Sequence, residues 1–371
     1  MATQATRLGF FLGAFFIPVN FPQTSQDPAG LFSRYPCYTS RNDSLNHNEE
    51  DVTMTTINPS AAQDVYRDAG ENIQFTTYLI DREDIAKDRE ALAEFVDRLA
   101  AIERSMAIRY PDAQLKVAFG LGATAWRLLF PTASQPKELV DFTPINGPRY
   151  TAPATAGDLF MHVRAKEMAV VFEVMDQARE FLRDWTTVVD ETHGFRYFEG
   201  RAIIGFIDGT ENPAGADAAE YALIGDEDPE FANGSYAFAQ KYTHNMDAWN
   251  ALHTEDQEKA IGRHKFSDRE LDDDDKLANA HNLASQDNMD GIEHKIVRMN
   301  VPYAKPGEGI AGTYFIGYAR HFTVTQRMLE NMFTQSDRLL DFSTPITGNA
   351  FFIPSRPLLE RIAEGDLFPV E

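Results

Sequence analysis

Cysteine is almost absent from this chain of 371 residues, which contains only Cys37. A single thiol cannot form a disulfide within the chain, and it excludes zinc or iron–sulfur sites built from several cysteines. Stability therefore depends on a hydrophobic core, for which 43% hydrophobic residues provide ample material. Low cysteine content is typical of a reducing compartment, and we expect the protein in the cytoplasm.

Basic residues are scarce relative to acidic ones. The chain has 34 lysines and arginines against 57 aspartates and glutamates, which gives a formal net charge of −23 at pH 7. Such a surface repels a phosphate backbone, so we expect no nucleic-acid partner.

Long apolar runs are also lacking. The apolar stretch Leu8–Val19 is too short to span a bilayer and contains a proline, so we expect no membrane association. Only Arg7 precedes it and no small-residue cleavage motif follows, which disfavours a secretory signal. The polar sequence after it is rich in proline, serine and asparagine, and we expect residues 1–53 to be a disordered N-terminal extension.

Several common site motifs are missing. No Gly-x-Gly-x-x-Gly follows a predicted strand, and neither a phosphate-binding loop nor a Gly-x-Ser-x-Gly is visible. The 9 histidines include no His-x-x-x-His or Glu-x-x-His pair of the kind that binds zinc or two irons.

The sequence does contain a pattern of strands and helices that occurs twice. In the first half, β-rich runs alternate with apolar residues at helical spacing, in the order β-α-β-β-α-β of the ferredoxin-like arrangement. The predicted strands cover 73–80, 115–122, 157–165 and 188–200, and the predicted helices cover 84–110 and 167–185.

The second half repeats this order. Its predicted strands cover 235–244, 294–303, 312–322 and 348–355, and its predicted helices cover 246–262 and 323–333. We therefore predict an α+β fold of duplicated ferredoxin-like units, with two antiparallel sheets and peripheral helices. The predicted divisions are 54–200 for the first unit, 201–234 for a connecting segment and 235–360 for the second unit.

Two long irregular stretches, 201–234 and 263–291, interrupt this repeat and are the places to look for chemistry. In the first, the apolar run "AIIGFI" resembles a buried strand and ends directly in Asp208 and Gly209. An Asp-Gly pair ordinarily forms a simple turn. The alternative is a carboxylate that faces a cavity and transfers a proton.

Two further residues are candidates for a site. His281 lies in the second irregular stretch, where a histidine is ordinarily solvated, and it is one candidate among 9. Arg298 follows Ile296 by two positions in a predicted strand, so the two side chains share a face. If that face is buried, the guanidinium needs an anion or a functional role; the alternative is a solvent-exposed strand end.

Several spaced segments in one order resemble the dye-decolourising peroxidases. These are "GFIDGTENP", with the Gly-x-x-Asp-Gly signature, "ANAHN", "KIVRMNVPY", "GTYFIGYA", "MLENMF" and "DRLLDFSTPITGNAFFIPS". The resemblance covers about residues 70 to 360 and is strongest to the compact bacterial group. It implies a duplicated ferredoxin-like fold with one haem b per chain between the two halves.

The resemblance also implies roles for individual residues. His281 would be the axial ligand of the iron, with Asp337, or alternatively Asp341, accepting a hydrogen bond from its second ring nitrogen. Asp208, Arg298 and Asn300 would be catalytic on the distal side. The further residues implied at the haem are Arg263, for a propionate, and Gly209, Thr210, Glu211, Asn212, Phe315 and Phe333.

The function that this resemblance implies is peroxidase catalysis. Hydrogen peroxide would oxidise the haem, and dyes, phenols or other one-electron donors would reduce it again. The alternative is a protein that binds haem or releases its iron with little peroxidase turnover, which would have no need of a distal acid–base group. The resemblance further leads us to expect a homo-oligomer.

Overall fold

The computed structural model describes residues 57–66, 68–215, 217–289 and 291–369. The extension predicted over residues 1–53 lies outside the described residues. Among the described residues, no helix is both long and apolar enough to cross a membrane.

The first half forms a four-stranded antiparallel sheet in the order β2-β5-β1-β6. This is the strand order of a ferredoxin-like unit, with the first and third strands in the centre. The elements are β1 (Asn72–Ile80), α1 (Ile85–Arg109), β2 (Lys116–Leu121), α2 (Ala123–Leu129), β3 (Ile145–Asn146), β4 (Thr151–Ala152), β5 (Leu159–Ala165), α3 (Met168–Leu182) and β6 (Thr186–Phe195).

Helix α1 shows why the periodicity of the sequence was informative. Asp84 caps its N-terminus, where the side chain accepts a hydrogen bond from the backbone N–H of Lys87. Its apolar positions recur every three to four residues and therefore form one buried face against the sheet and helix α3. That face consists of Leu92, Phe95, Val96, Leu99, Ile102 and Met106.

The second half repeats the same strand order, β10-β11-β7-β13. β12 pairs with β7 beside β13, and β8 and β9 form a separate short hairpin. The elements are α4 (Asp217–Ala222), β7 (Ser235–His244), α5 (Met246–Asn250), α6 (Thr254–Ile261), α7 (His281–Ala284), β8 (Asp287–Met289), β9 (Ile292–His294), β10 (Val297–Lys305), β11 (Ile310–Ala319), α8 (Phe322–Thr334), β12 (Ser343–Pro345), β13 (Asn349–Ile353) and α9 (Arg356–Ala363).

The two sheets meet in two ways. Their edges are joined where Phe352 of β13 pairs with Leu121 of β2, so hydrogen bonding continues from one sheet to the other. Their inner faces share one buried cluster, which includes Phe75 of β1 and Tyr314 and Tyr318 of β11. The predicted duplicated α+β fold with antiparallel sheets is confirmed.

Two local predictions were wrong. The helix predicted over 246–262 is two helices, because Gln257 donates its side-chain N–H to the carbonyl of Trp249 over 2.8 Å and His253 adopts extended backbone. The apolar run 202–207 forms turns with an isolated bridge between Arg201 and Ile207 instead of a strand. Apolar periodicity alone could reveal neither the break in the helix nor the turns in the apolar run.

Candidate functional site

A cavity with about 1500 Å³ of empty space, open mouth included, lies in the second half of the chain. Its walls come from the segment before and after Asp208, from α7, from α8 and from one face of the sheet at β10 and β11. All of its lining residues fall between Ala202 and Ser343. They come from the predicted connecting segment and the second predicted unit.

Most of the predicted site residues share this cavity. His281 and Asp208, which lie 73 residues apart in the chain (281 − 208), both line it. The complete set of predicted residues at its wall is Asp208, Gly209, Thr210, Glu211, Arg263, His281, Arg298, Asn300 and Phe315.

Phe333, which was predicted at the haem, does not line this cavity. Its side chain is fully buried in the main hydrophobic core, whereas its neighbour Met332 faces the cavity together with Met328 and Leu329. Successive residues of a helix point about 100° apart. The apolar wall on α8 therefore consists of the residues just before the predicted one.

Asn212 also lies outside the cavity wall, because its side chain is bound to the backbone of β10. Its Nδ2 donates to the carbonyl of Arg298 over 2.7 Å, and its Oδ1 accepts from the N–H of Arg298 over 3.0 Å. This clamp fixes the backbone from which the Arg298 side chain extends.

The turn that presents Asp208 depends on the glycine after it. Gly209 has a φ of +80°, a conformation that residues with a Cβ rarely adopt. A Cβ at this position would also lie 3.1 Å from Nδ2 of Asn212. The Asp-Gly pair thus forms a tight turn and at the same time directs a carboxylate towards the cavity.

Asn300 holds the Asp208 carboxylate. The backbone N–H of Asn300 donates to Oδ2 over 2.9 Å, and Nδ2 donates to Oδ1 over 2.6 Å. Both oxygens keep further lone pairs for a proton or a water molecule.

Arg298 presents a cation with no partner at the same wall. Its guanidinium makes no hydrogen bond or ion pair with any described residue, although the side chain is half-buried. Half-buried charges are ordinarily paired. An unpaired guanidinium beside a fixed carboxylate can stabilise negative charge that develops on a small ligand in the cavity.

His281 is the first residue of α7, and its ring is oriented by Asp337. Nδ1 lies 2.7 Å from Oδ2 of Asp337, whose side chain is fully buried. The carboxylate fixes the hydrogen on Nδ1. Nε2 has no hydrogen-bond partner among the described residues and is left as a lone-pair donor for a metal ion.

Two backbone contacts bring this pair together. Asn279 donates from Nδ2 to the carbonyl of Ser336 over 2.7 Å, and its own carbonyl accepts from the N–H of Arg338 over 2.9 Å. The other candidate partner, Asp341, lies elsewhere. It contacts Arg149, Tyr150 and Arg338 instead of the histidine.

Cationic side chains lie at another part of the wall. Arg263 is bound to Glu211 and donates from Nη1 to the carbonyl of Asp268 over 2.7 Å. Lys295 lies 3.6 Å from the second oxygen of Glu211. Because a guanidinium has five N–H donors, Arg263 retains capacity for another carboxylate.

Sequence reasoning missed His244, which is buried at the end of β7 and lines the cavity. Nδ1 lies 2.8 Å from Oγ of Ser343 and Nε2 lies 2.8 Å from Oγ1 of Thr313. Burial lowers the pKa of His244 to about 4, so the ring is neutral at ordinary pH. Its role depends on the pairing of β7 with β11 and β12, and no local signal in the sequence marks it.

The residues present fit a haem. The cavity has apolar walls for a macrocycle, including Ile204, Ile296 and Met328. It offers one imidazole nitrogen with a free lone pair, and Arg263 and Lys295 supply cations for the carboxylates of propionates.

Comparisons with known proteins agree with this geometry. Residues 62–196 match the profile of the N-terminal domain of Dyp-type peroxidases, and residues 199–357 match that of the C-terminal domain. The chain belongs to the Dyp-type peroxidase family. Among curated members of the family, the dye-decolorizing peroxidase of Mycobacterium tuberculosis is 46% identical over 285 residues, which cover 74% of this chain and 84% of that protein.

Solved structures of Dyp-type peroxidases are similar as well. The dye-decolorizing peroxidase of Bacteroides thetaiotaomicron is 50% identical, with a TM-score of 0.77 over 81% of this chain and 98% of that chain. A variant of DypB from Rhodococcus jostii RHA1, solved in complex with haem, is 42% identical, with a TM-score of 0.77 over 81% of this chain and 97% of that chain.

Proposed function

We propose that His281 binds the haem iron through Nε2 and that Arg298 and Asp208 act on hydrogen peroxide in the same cavity. The chain is a haem peroxidase that oxidises dyes, with haem b as its cofactor. The observation that carries the assignment of residues is the presence of an unpaired guanidinium, a fixed carboxylate and a free imidazole nitrogen at one cavity wall.

Haem held by His281 would supply an iron that accepts the two oxidising equivalents of peroxide. Asp208 takes a proton from one peroxide oxygen and delivers it to the other, directly or through one water. Arg298 stabilises the negative charge on the oxygen that departs as water. Two one-electron donors then return the two electrons, and two protons complete the second water.

The remaining residues position these groups. Asn300 keeps the Asp208 carboxylate in one orientation, and Asn212 fixes the backbone of Arg298. Asp337 holds the ring of His281 and makes the imidazole a stronger electron donor, which favours the oxidised iron. Arg263 binds a propionate of the cofactor.

Haem storage or iron release without turnover is not favoured. Such a protein would need the imidazole of His281 but would gain nothing from an unpaired cation, because an unpaired half-buried charge lowers stability. Phenols are proposed as donors in addition to dyes, since they too lose single electrons.

We also propose a cytoplasmic homo-oligomer with functional units at 54–200, 201–234 and 235–360. The single cysteine supports the reducing compartment. Mass photometry of the purified protein measures the number of subunits.

The test of function compares wild type with His281→Ala and His253→Ala. The holoenzyme should show a Soret absorption band and oxidise a chromogenic donor only when peroxide is present. His281→Ala should lose both properties, whereas His253→Ala, at an exposed position after α5, should keep them. Full haem binding and turnover by His281→Ala would refute the assignment of the ligand.

A further inference from the structure

A second histidine is buried on the opposite side of the sheet from the cavity. His162 of β5 has no exposed surface, and its Nδ1 lies 2.7 Å from the phenolic oxygen of Tyr318 on β11. The contact joins the sheet of the first half to the sheet of the second half, inside the cluster that the two inner faces share. Nothing in peroxide reduction as described above uses it.

The surroundings of His162 fix its tautomer. Nη1 of Arg164 approaches the same Nδ1 to 3.4 Å, and a guanidinium can only donate. Nδ1 is therefore the acceptor for both neighbours, and the hydrogen of the neutral ring lies on Nε2, which has no partner among the residues that the structure describes. Burial, followed by the charge of Arg164, lowers the pKa of His162 well below its ordinary value, in agreement with a neutral ring.

Tyr318 thus has a base aligned with its O–H at a fully buried position. Burial raises the pKa of Tyr318, so the phenol does not ionise by itself. Loss of one electron makes a phenol strongly acidic, and the proton then has an acceptor at hydrogen-bond distance. Tyr314, on the same strand and the same face, has no imidazole at its phenol and stacks on Phe75 at 4.0 Å.

The pairing of the strands also places Tyr318 close to the cavity. It pairs with Val297, whose neighbour Arg298 lines the cavity from the other face. One layer of strands therefore separates the phenol from the site where peroxide delivers its oxidising equivalents. Aromatic rings extend the pair on its other side, because His162 stacks on Phe75 with 4.4 Å between ring centroids.

We propose that Tyr318 and His162 form a proton-coupled redox site that holds one oxidising equivalent away from the haem. Tyr318 gives one electron to the oxidised cofactor, its O–H bond breaks, and the proton forms an N–H bond at Nδ1 of His162. The products are a neutral tyrosyl radical and an imidazolium. An electron from a reducing substrate and the returning proton restore the phenol.

The charge of Arg164 makes this step reversible. The imidazolium lies beside a guanidinium in a buried setting, where like charges repel. The proton is therefore driven back to the tyrosyl oxygen as soon as an electron arrives. The site is filled only by a strong oxidant, and the peroxidase reaction on which this inference rests supplies one.

The test uses electron paramagnetic resonance of the holoenzyme, frozen shortly after mixing with peroxide in the absence of a donor. Wild type should show an organic radical whose hyperfine structure collapses when the protein contains ring-deuterated tyrosine. Tyr318→Phe should lose this signal, and the matched variant Tyr314→Phe should keep it. His162→Gln, which can accept a hydrogen bond but not a proton, should lower the yield strongly.

Dye oxidation and the Soret band are measured on the same preparations. Normal turnover by wild type without a tyrosyl radical would overturn the redox site while leaving the peroxidase function intact. An unchanged radical in Tyr318→Phe would overturn it as well, and an unchanged yield in His162→Gln would refute the proton acceptor. Loss of turnover in wild type would instead contradict the proposed function.

Discussion

Asn300 donates two hydrogen bonds to Asp208, one from its backbone N–H over 2.9 Å and one from Nδ2 over 2.6 Å. A peroxide molecule therefore meets a carboxylate that is already oriented but whose oxygens are shared with another residue. Arg298, two positions earlier on the same strand, presents a guanidinium with no partner among the described residues. The cation is the freer of the two groups to interact with a ligand.

We expect the loss of Arg298 to be more harmful than the loss of the carboxylate. Arg298→Leu should lower the second-order rate constant for peroxide by about a thousandfold, because charge on the departing oxygen loses its partner. Asp208→Asn should lower it by about a hundredfold, at the lower end of what an acid–base group contributes. Stopped-flow absorption of the holoenzymes measures both rate constants.

Arg104→Leu is the control for this comparison, since it removes the same charge from an exposed residue of α1 that does not line the cavity. It should leave the rate constant unchanged. A larger loss in Asp208→Asn than in Arg298→Leu would give the main role to the carboxylate.

Asp337 and Asp341 allow a second matched comparison. Asp337→Asn keeps an oxygen for the N–H of Leu339, which Oδ1 accepts over 2.8 Å, but removes the charge beside His281. We expect haem affinity to fall by about 10- to 100-fold, as for other partners of metal-binding histidines. Asp341→Asn should retain wild-type affinity. Haem titration followed by absorbance measures both values, and equal losses would contradict the assigned partner.

The helices and strands could be predicted from the sequence because the signals for them, such as helix caps and apolar periodicity, lie within each segment. Helix α1 has a cap at Asp84 and a regular apolar face, and strand alternation correctly placed Ile296 and Arg298 on one face. The choice between Asp337 and Asp341 could not be made, because it depends on the contacts of Asn279 with a segment more than fifty residues away.

The apolar wall on α8 illustrates another limit. Met332 and Phe333 are adjacent, apolar and partly or fully buried, yet only Met332 faces the cavity. A periodic pattern shows that a helix has a buried face but not which neighbour covers each part of it. His244 was missed because its contacts come from strands that pair only in the folded chain.

Gly209 should be required for activity as well as for stability. Alanine at a φ of +80° costs about 1–2 kcal/mol in backbone conformation, and its Cβ would lie 3.1 Å from Nδ2 of Asn212. We expect Gly209→Ala to disturb the clamp on Arg298, and therefore to lower both the free energy of unfolding and the rate with peroxide. Chemical denaturation and stopped-flow absorption measure the two effects.

Gly215→Ala separates these causes. Gly215 also has a positive φ, of +61°, but no described residue beyond its chain neighbours lies within 4 Å of the position that a Cβ would take. Gly215→Ala should lower the free energy of unfolding by a similar conformational cost, while its rate with peroxide stays at the wild-type value. Equal rates in Gly209→Ala and Gly215→Ala would show that the clamp has no influence on the site.

His321 and Glu138 should make stability depend on pH. Glu138 accepts from the N–H of Thr323 at the start of α8 over 2.9 Å and lies 2.9 Å from Nδ1 of His321. The hydrogen bond to Glu138 raises the pKa of His321 above its ordinary value of 6.5, and the nearby charge of Glu227 adds to the effect while burial and Arg320 oppose it. Burial raises the pKa of Glu138, but its hydrogen bonds to His321 and Thr323 outweigh this and lower it overall.

The folded state binds the proton of His321 more tightly than the unfolded state does, and this sets the direction in which stability changes with pH. The pair stabilises the fold fully below the ordinary pKa of 6.5 and loses this effect as the pH rises through the higher folded pKa of His321. Thermal unfolding of wild type and His321→Gln should therefore differ most on the acidic side and converge at alkaline pH. His193→Gln, at an exposed histidine 2.9 Å from Glu191, is the control and should follow wild type throughout. A constant difference between wild type and His321→Gln from about pH 5 to pH 9 would mean that the histidine contributes by packing and not by charge.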